Sequence, residues 1–307
     1  MLKLRKNRQE NRPTRLAIDG TATRHTFLKK SGYRQAQVTN TASIIGTNQS
    51  IRLLTYNIQV GIPTKRYHQY LTKGWKHVFP HIDRYRNLDK IAAVCRNYDL
   101  VALQEVDAGS LRSGYVDQVE YLANSANFPY WFTQCNRKLG HVAQHGNGLL
   151  SRFSPRQVED HKLPGVLPGR GAIVARFSLD AAGMEGAGDE LVVVLLHLSL
   201  GMKSRELQLR YVRRLIDGCE HVVVMGDMNS HLKHLLKSSP LAGSGLQTAS
   251  SIQPTYPSWR PAVAIDHVLV SPSLVITNYE VLANRLSDHL PTAVTIRKRT
   301  LVEEKHI

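Results

Sequence analysis

The chain has 307 residues, 42% of them hydrophobic, which is enough to bury a large core, and its formal net charge is +16. No apolar run reaches the roughly 18 to 20 residues that span a bilayer, and the N-terminus lacks a secretory apolar segment, so integral-membrane and secreted classes are excluded in favour of a cytoplasmic expectation. Cys95, Cys135 and Cys219 are odd in number and lack metal spacing, which excludes a disulfide framework and predicts reduced, buried thiols.

Half of the charge lies in residues 1–50, where ten Lys/Arg face only Glu10 and Asp19, among many Ser, Thr, Asn and Gln. This composition predicts a disordered basic arm, suited to nucleic acid or an anionic membrane, or else a solvated tail. An Arg-rich, acid-poor leader also leaves organelle targeting open. The remainder, 51–299, is expected to be one catalytic domain.

IRLLTYN predicts a first strand, ending at Asn57. A long loop from Ile62 to Arg86 follows, in which Lys65, Arg66, Lys73, Lys76, Arg84 and Arg86 alternate with Tyr67, Tyr70, Trp75, Phe79 and Tyr85. Basic groups meet phosphates and aromatics stack on bases, so this loop is the expected substrate contact; the same composition suits a membrane interface. Leu88, Ile91, Ala92 and Cys95 mark a helix face, and LVALQE a second strand carrying Glu105. Val119, Leu122, Ala123 and Ala126 recur at helical spacing, before strand-like GLLSRF and AIVARF. AAGMEGAGDE predicts a surface hairpin. LVVVLLHL is a strand containing His197, and a helix is expected from about Ser204 to Cys219 with Leu207, Tyr211 and Leu215 as its apolar stripe. HVVVMG leads into Asp227 and Asn229. After the loop-rich SSPLAGSG and QPTYPSWRP come two closing strands, IDHVLVS and PTAVTIR. Alternating strands and helices with interspersed strand pairs predict an α/β (α+β) four-layered sandwich, two mixed sheets packed face to face and flanked by helices.

A polar residue at the end of a buried strand leaves the core to face a cleft, and Asn57, Glu105, Asp227, Asn229, Asp266, Asp288 and His289 all sit at such ends. Crowded carboxylates repel unless a cation lies among them, and a hard divalent ion with oxygen ligands, Mg²⁺ or in its place Mn²⁺, is the simplest answer. Taken singly, Asp266 could be a cap or turn residue and His197 a core histidine. Glycine in GDMN is expected to give a tight turn after the strand.

Taken in order, N after the first strand, QE after the second, HL, GDMN and SDHLP resemble the endonuclease/exonuclease/phosphatase superfamily of metal-dependent phosphodiesterases, over roughly Ile51 to Arg297. The resemblance implies an enzyme that hydrolyses phosphoric esters. It implies Glu105 as principal metal ligand, with Asn57 and Asp288 beside it. Asp227 would orient or deprotonate the attacking water, and Asn229 would donate to a phosphoryl oxygen. His289 would be a base or phosphate contact oriented by Asp266, and His197 would bond phosphate or leaving group. Arg170, in LPGRGAIV, is a phosphate contact or a structural ion-pair member. Asn147, in HGNGLLSR, is a substrate contact or a residue of a positive-φ turn.

Tyr56 before Asn57, and Gln144 in place of a tyrosine, depart from the abasic-site endonucleases. Ser230 and His231 after GDMN depart from the inositol phosphatases. A nuclease or nucleic-acid phosphodiesterase is the leading expectation, with a phospholipid or sphingolipid headgroup phosphodiesterase as the alternative and a non-catalytic scaffold as the weakest reading.

Overall fold

A computed structural model describes residue 45 and residues 49–62, 82–166, 168–179 and 189–299. One sheet contains β1 (Ile51–Asn57), β2 (Leu100–Asp107), β3 (Tyr130–Leu139), β4 (Ala143–Ser151), β10 (Leu274–Val281) and β11 (Thr292–Lys298), in the order β10-β11-β1-β2-β4-β3. The other contains β5 (Gln157–Lys162), β6 (Gly171–Ser178), β7 (Glu190–His197), β8 (His221–Asp227) and β9 (Asp266–Val270), in that order. Both sheets are mixed: β1 runs parallel to β2 and β7 to β8, while their other partners are antiparallel.

Period-two alternation of the strands builds the layers. Leu53, Leu100, Ala102 and Val294 of the first sheet face Ile173, Val193, Leu195, Val223 and Met225 of the second, forming the central core. The intervening residues Leu54, Tyr56, Val101 and Leu103 face the other way, under α1 (Ile82–Cys95) and α2 (Gln118–Ala126). Val192, Val194, Leu196, Val222 and Val224 likewise lie under α3 (Met202–Leu215) and the short α4 (Leu232–Lys237). With both faces covered, the central strands read as continuous apolar runs rather than alternating ones. The expected four layers are present. Ile45 is buried in the central core, so packing begins before the expected boundary at residue 51.

Several local expectations need correction. The helix expected from Ser204 to Cys219 spans Met202–Leu215, and its buried side is Ser204, Gln208, Leu209 and Val212, with Leu207 exposed. Gln208 is turned inward because its amide bonds both the backbone N and the hydroxyl of Ser199, each at 2.9 Å, which fixes the segment after β7. Of the thiols, only Cys95 is fully buried; Cys135 and Cys219 are half-buried. Burial pushes the Cys95 thiol up to about 12.

The expected substrate loop lies mostly outside the described residues, but its last part is helix. Arg84, Tyr85 and Arg86 belong to α1, where Arg84 is buried and the Tyr85 hydroxyl donates to Ser113 O at 3.1 Å. The expected hairpin AAGMEGAGDE is described only at Asp189 and Glu190.

Candidate active site

Parallel pairing inside each sheet carries the C-terminal ends of β1 and β2, and of β7 and β8, to one edge of the sandwich. Asn57 pairs with Gln104, one residue before Glu105, and His197 pairs with Asp227. Asp266 opens β9 opposite Asp227, and the segment between β10 and β11 delivers Asp288 and His289. Gly226 is needed inside β8 rather than in a turn after it. Its φ is +145°, and a Cβ there would lie 1.9 Å from Leu196 O of β7.

Glu105 reaches the cleft by a backbone irregularity. The register of β2 with β4 shifts between Gln104 and Val106, leaving Glu105 as the extra residue of a bulge with φ +55°. A bulge re-aims one side chain out of the alternation, and the carboxylate is 36% exposed in the cleft.

Asp227 is the hub. Its Oδ2 accepts from Asn57 Nδ2 at 3.1 Å and lies 3.4 Å from His197 Nε2 and 3.8 Å from His289 Nε2; its Oδ1 accepts from Asn229 N at 3.0 Å. Burial, reinforced by the Asp266 charge, raises Asp227 to about 7. The Asn229 side chain donates to Leu198 O at 3.0 Å, and its backbone takes φ +46°. His289 Nδ1 lies 2.9 Å from Asp266 Oδ2, which fixes the ring. Burial opposes charge on this imidazole, yet Asp266 and Asp227 outweigh it and raise His289 to about 10. Thr255 donates to Asp266 as well.

Arg170 NH1 lies 2.7 Å from His197 Nδ1. The same NH1 lies 2.8 Å from His197 Nε2, so the guanidinium caps the ring edge without fixing its tautomer, and Nε2 also stands 4.0 Å from Glu105 Oε1. Burial and Arg170 hold His197 well below the usual histidine range, hence neutral.

Asn147 is buried within β4 with no positive φ, so the turn reading of Gly-Asn-Gly is corrected. The flanking glycines serve close approach: a Cβ at Gly146 would meet Gln134 O at 2.0 Å, and one at Gly148 would meet Val119 Cγ2 at 2.4 Å. Asn147 Nδ2 donates to Gln134 Oε1 and Gly171 O, both at 3.0 Å, while its Oδ1 is buried without a partner.

Glu105, Asn147, Arg170 and His197 line a cleft of about 680 Å³ whose far wall holds Arg137, His145 and Lys203, none of them anticipated from the sequence. His145 could have been found, since it shares a strand face with Asn147 two residues on. Its Nε2 accepts from Arg112 NH1 at 3.2 Å, and burial with Arg112 lowers it to about 4, so it presents a neutral ring. Arg112 is held by the buried Asp107, which also accepts from Ser110 and Ser113. Burial opposes the Asp107 charge, but these bonds keep its carboxyl below the usual range. Removing one partner of a buried pair strands the other charge. Asp107→Asn is therefore expected to destabilise the fold by about 3 kcal/mol or more, measured by urea unfolding; a midpoint equal to wild type would contradict this wall-anchoring role.

Two acid–histidine groups among the described residues could hold a cation. Asp189, Glu220 and His221 already have the Lys298 ammonium bonded to Asp189, which occupies that position. Asp227, Asp266 and His289 are buried behind the cleft-lining His197; His289 Nδ1 engages Asp266 Oδ2, while Asp266 Oδ1 is buried without a partner. Glu105 and Asp288 are different: burial and then the Asp288 charge raise the Glu105 carboxyl, even with His289, the Asn57 amide and Arg170 acting the other way. With the Asn57 amide beside them, they make an oxygen donor set that fits a hard divalent ion.

A family model described as the Endonuclease/Exonuclease/phosphatase family matches residues 54–289. The chain belongs to the endonuclease/exonuclease/phosphatase family. Like the members of that family, it is a phosphoric ester hydrolase, and the family is generally dependent on divalent metal. Among solved structures it is similar to an endonuclease/exonuclease/phosphatase from Beutenbergia cavernae DSM 12333, at 23% identity and TM-score 0.61 over 81% of this chain and 72% of that one. It is also similar to a mannosyl-6-phosphatase from Bacteroides thetaiotaomicron VPI-5482, at 17% identity and TM-score 0.56 over 80% and 99%. A third is ANGEL2, a 2',3'-cyclic phosphatase, at 14% identity and TM-score 0.58 over 86% and 97%. At these identities the likeness concerns the family fold. No curated protein sequence is matched significantly.

Proposed function

We propose that this family member hydrolyses a phosphodiester by attack of water, assisted by Mg²⁺ or by Mn²⁺ in its place. The observation that carries the reading is the convergence of Asn57, His197 and His289 on the Asp227 carboxylate beside Glu105. Glu105, Asp288 and the Asn57 carbonyl oxygen would hold the metal, which supplies Lewis-acid stabilisation of the phosphoryl oxygens. Asp227, raised toward neutrality, takes the proton of the attacking water. His289, charged and oriented by Asp266, donates from Nε2 to the negative charge that develops as the ester P–O bond breaks. His197, held by Arg170, contacts the phosphate or leaving group, and Asn229 supplies a further donor. Asn147 and Arg170 line the substrate side of the cleft.

Basic Arg137, Arg170 and Lys203 suit any phosphodiester. A nucleic-acid substrate is supported by the net charge of +16 and by the basic segment 1–50, proposed as a polyanion-binding arm preceding a catalytic domain at 51–299 whose core already takes in Ile45 from the end of that segment. A phospholipid or sphingolipid headgroup is supported by a separate observation, the exposed apolar side chains of Val166, Leu200 and Met202 on the lining of the cleft. In an assay of the full chain with bis(p-nitrophenyl) phosphate, plasmid, single-stranded DNA, RNA and sphingomyelin vesicles, Mg²⁺ should support hydrolysis of the small diester and of one physiological class. EDTA should abolish both. Failure on every substrate with either metal would overturn the proposal.

A further inference from the structure

Seven large apolar side chains are exposed among the described residues, and they are not scattered. Val166 is 76% exposed, Leu200 76% and Met202 65%, and all three line the catalytic cleft. Leu139 and Val142 are exposed at the tip of the β3–β4 hairpin, whose Arg137 lines the same cleft. Tyr115 is exposed on the segment whose Leu111 and Arg112 backbone nitrogens bond His141 O and Val142 O of that tip.

These positions are held by the fold. Val166 N donates to the Ser204 hydroxyl at 3.0 Å, and Arg205 NH1 donates to Leu200 O at 2.7 Å, so the start of α3 fixes both backbones while their side chains point to solvent. Exposed apolar residues are ordinary singly, but grouped on the lip of a cleft they mark an interaction surface. Exposed Arg137, Lys138 and Lys203 are interleaved with them. Apolar side chains that enter the headgroup region beside cations that meet lipid phosphates are the composition of an interfacial membrane contact. A nucleic-acid groove would instead present stacking aromatics, and Tyr115 is the only exposed aromatic of the group.

We propose that the lip formed by Val166, Leu200 and Met202, with the β3–β4 hairpin tip beside it, docks the cleft onto an anionic phospholipid surface. Resting on the phosphodiesterase reading above, this makes a lipid headgroup diester the substrate class. Docking brings the mouth of the cleft to headgroup level, so a headgroup phosphate enters without the lipid leaving the bilayer.

Cosedimentation of the full chain with phosphatidylcholine vesicles, with and without phosphatidylglycerol, tests it. Wild type should bind the phosphatidylglycerol vesicles, and added salt should weaken this without abolishing it, because the apolar part is unscreened. The triple variant Val166→Ser/Leu200→Ser/Met202→Ser should bind about tenfold more weakly or worse, with an unchanged thermal melt. Val166→Trp should tighten binding. A triple variant that binds vesicles like wild type, or one that loses affinity for a DNA or RNA duplex instead, overturns the proposal. Hydrolysis of bis(p-nitrophenyl) phosphate separates the two readings. A chain that cleaves the soluble diester but ignores vesicles sinks the docking surface alone, and a chain that binds vesicles but cleaves no diester sinks the enzymatic reading.

Discussion

Asp227→Asn is expected to lower kcat on a soluble diester by about 10² to 10⁴, the span that a positioned general base commands. Asparagine keeps the size of the side chain but cannot take a proton. The carboxylate is also the common acceptor for Asn57 Nδ2, Asn229 N and, at longer range, His197 Nε2 and His289 Nε2. An amide has one acceptor atom. If its oxygen serves Asn229 N, its NH₂ group meets the Asn57 NH₂ group; the flipped amide leaves Asn229 N unpaired. Each arrangement forfeits a buried hydrogen bond, costing about 1 to 3 kcal/mol, partly offset because a desolvated charge is removed. Stability should therefore move little while turnover collapses, a split visible by comparing the thermal melt with kcat. A variant that turns over within tenfold of wild type would remove Asp227 from the chemistry.

What could be read from the sequence follows burial. β1, β2, β7, β8 and β11 were visible as apolar runs because central strands are covered on both faces, and β9, though at a sheet edge, is buried throughout; the polar residues at their ends stood out by contrast. β3, β5 and β10 were not anticipated, and all three are edge strands with one neighbour. β5 is QVEDHK, without a buried residue, and β3 ends in exposed Arg137, Lys138 and Leu139. An edge strand that buries little carries little hydrophobic signal. The Glu105 bulge was hidden for a different reason: it depends on which β4 residue pairs with Gln104, a non-local fact. The same holds for Gln208, polar in sequence yet facing inward to Ser199; the place of His145 was legible from its spacing to Asn147, but its contact with Arg112 from another segment was not.

Glu105→Gln should reveal the metal directly, by weakening Mg²⁺ binding about tenfold to a hundredfold or more; even residues that only support a ligand carry that much. Glutamine meets the left-handed backbone at this position no worse than glutamate, so the bulge and the register of β2 with β4 are retained. What changes is charge. In wild type the Asp288 charge disfavours ionisation of Glu105, and a divalent cation beside Glu105 would offset that repulsion. With a neutral amide at 105, one carboxylate remains and the electrostatic gain on binding is much reduced. Isothermal titration with Mg²⁺ and no substrate reads the affinity independently of turnover, and the Mg²⁺ concentration giving half-maximal rate should rise in step. The apo variant should be as stable as wild type or slightly more so, having lost a like-charge contact, while the stabilisation added by saturating Mg²⁺ should shrink. Unchanged Mg²⁺ affinity would move the metal away from Glu105, leaving the Asp227, Asp266 and His289 cluster as the position to examine.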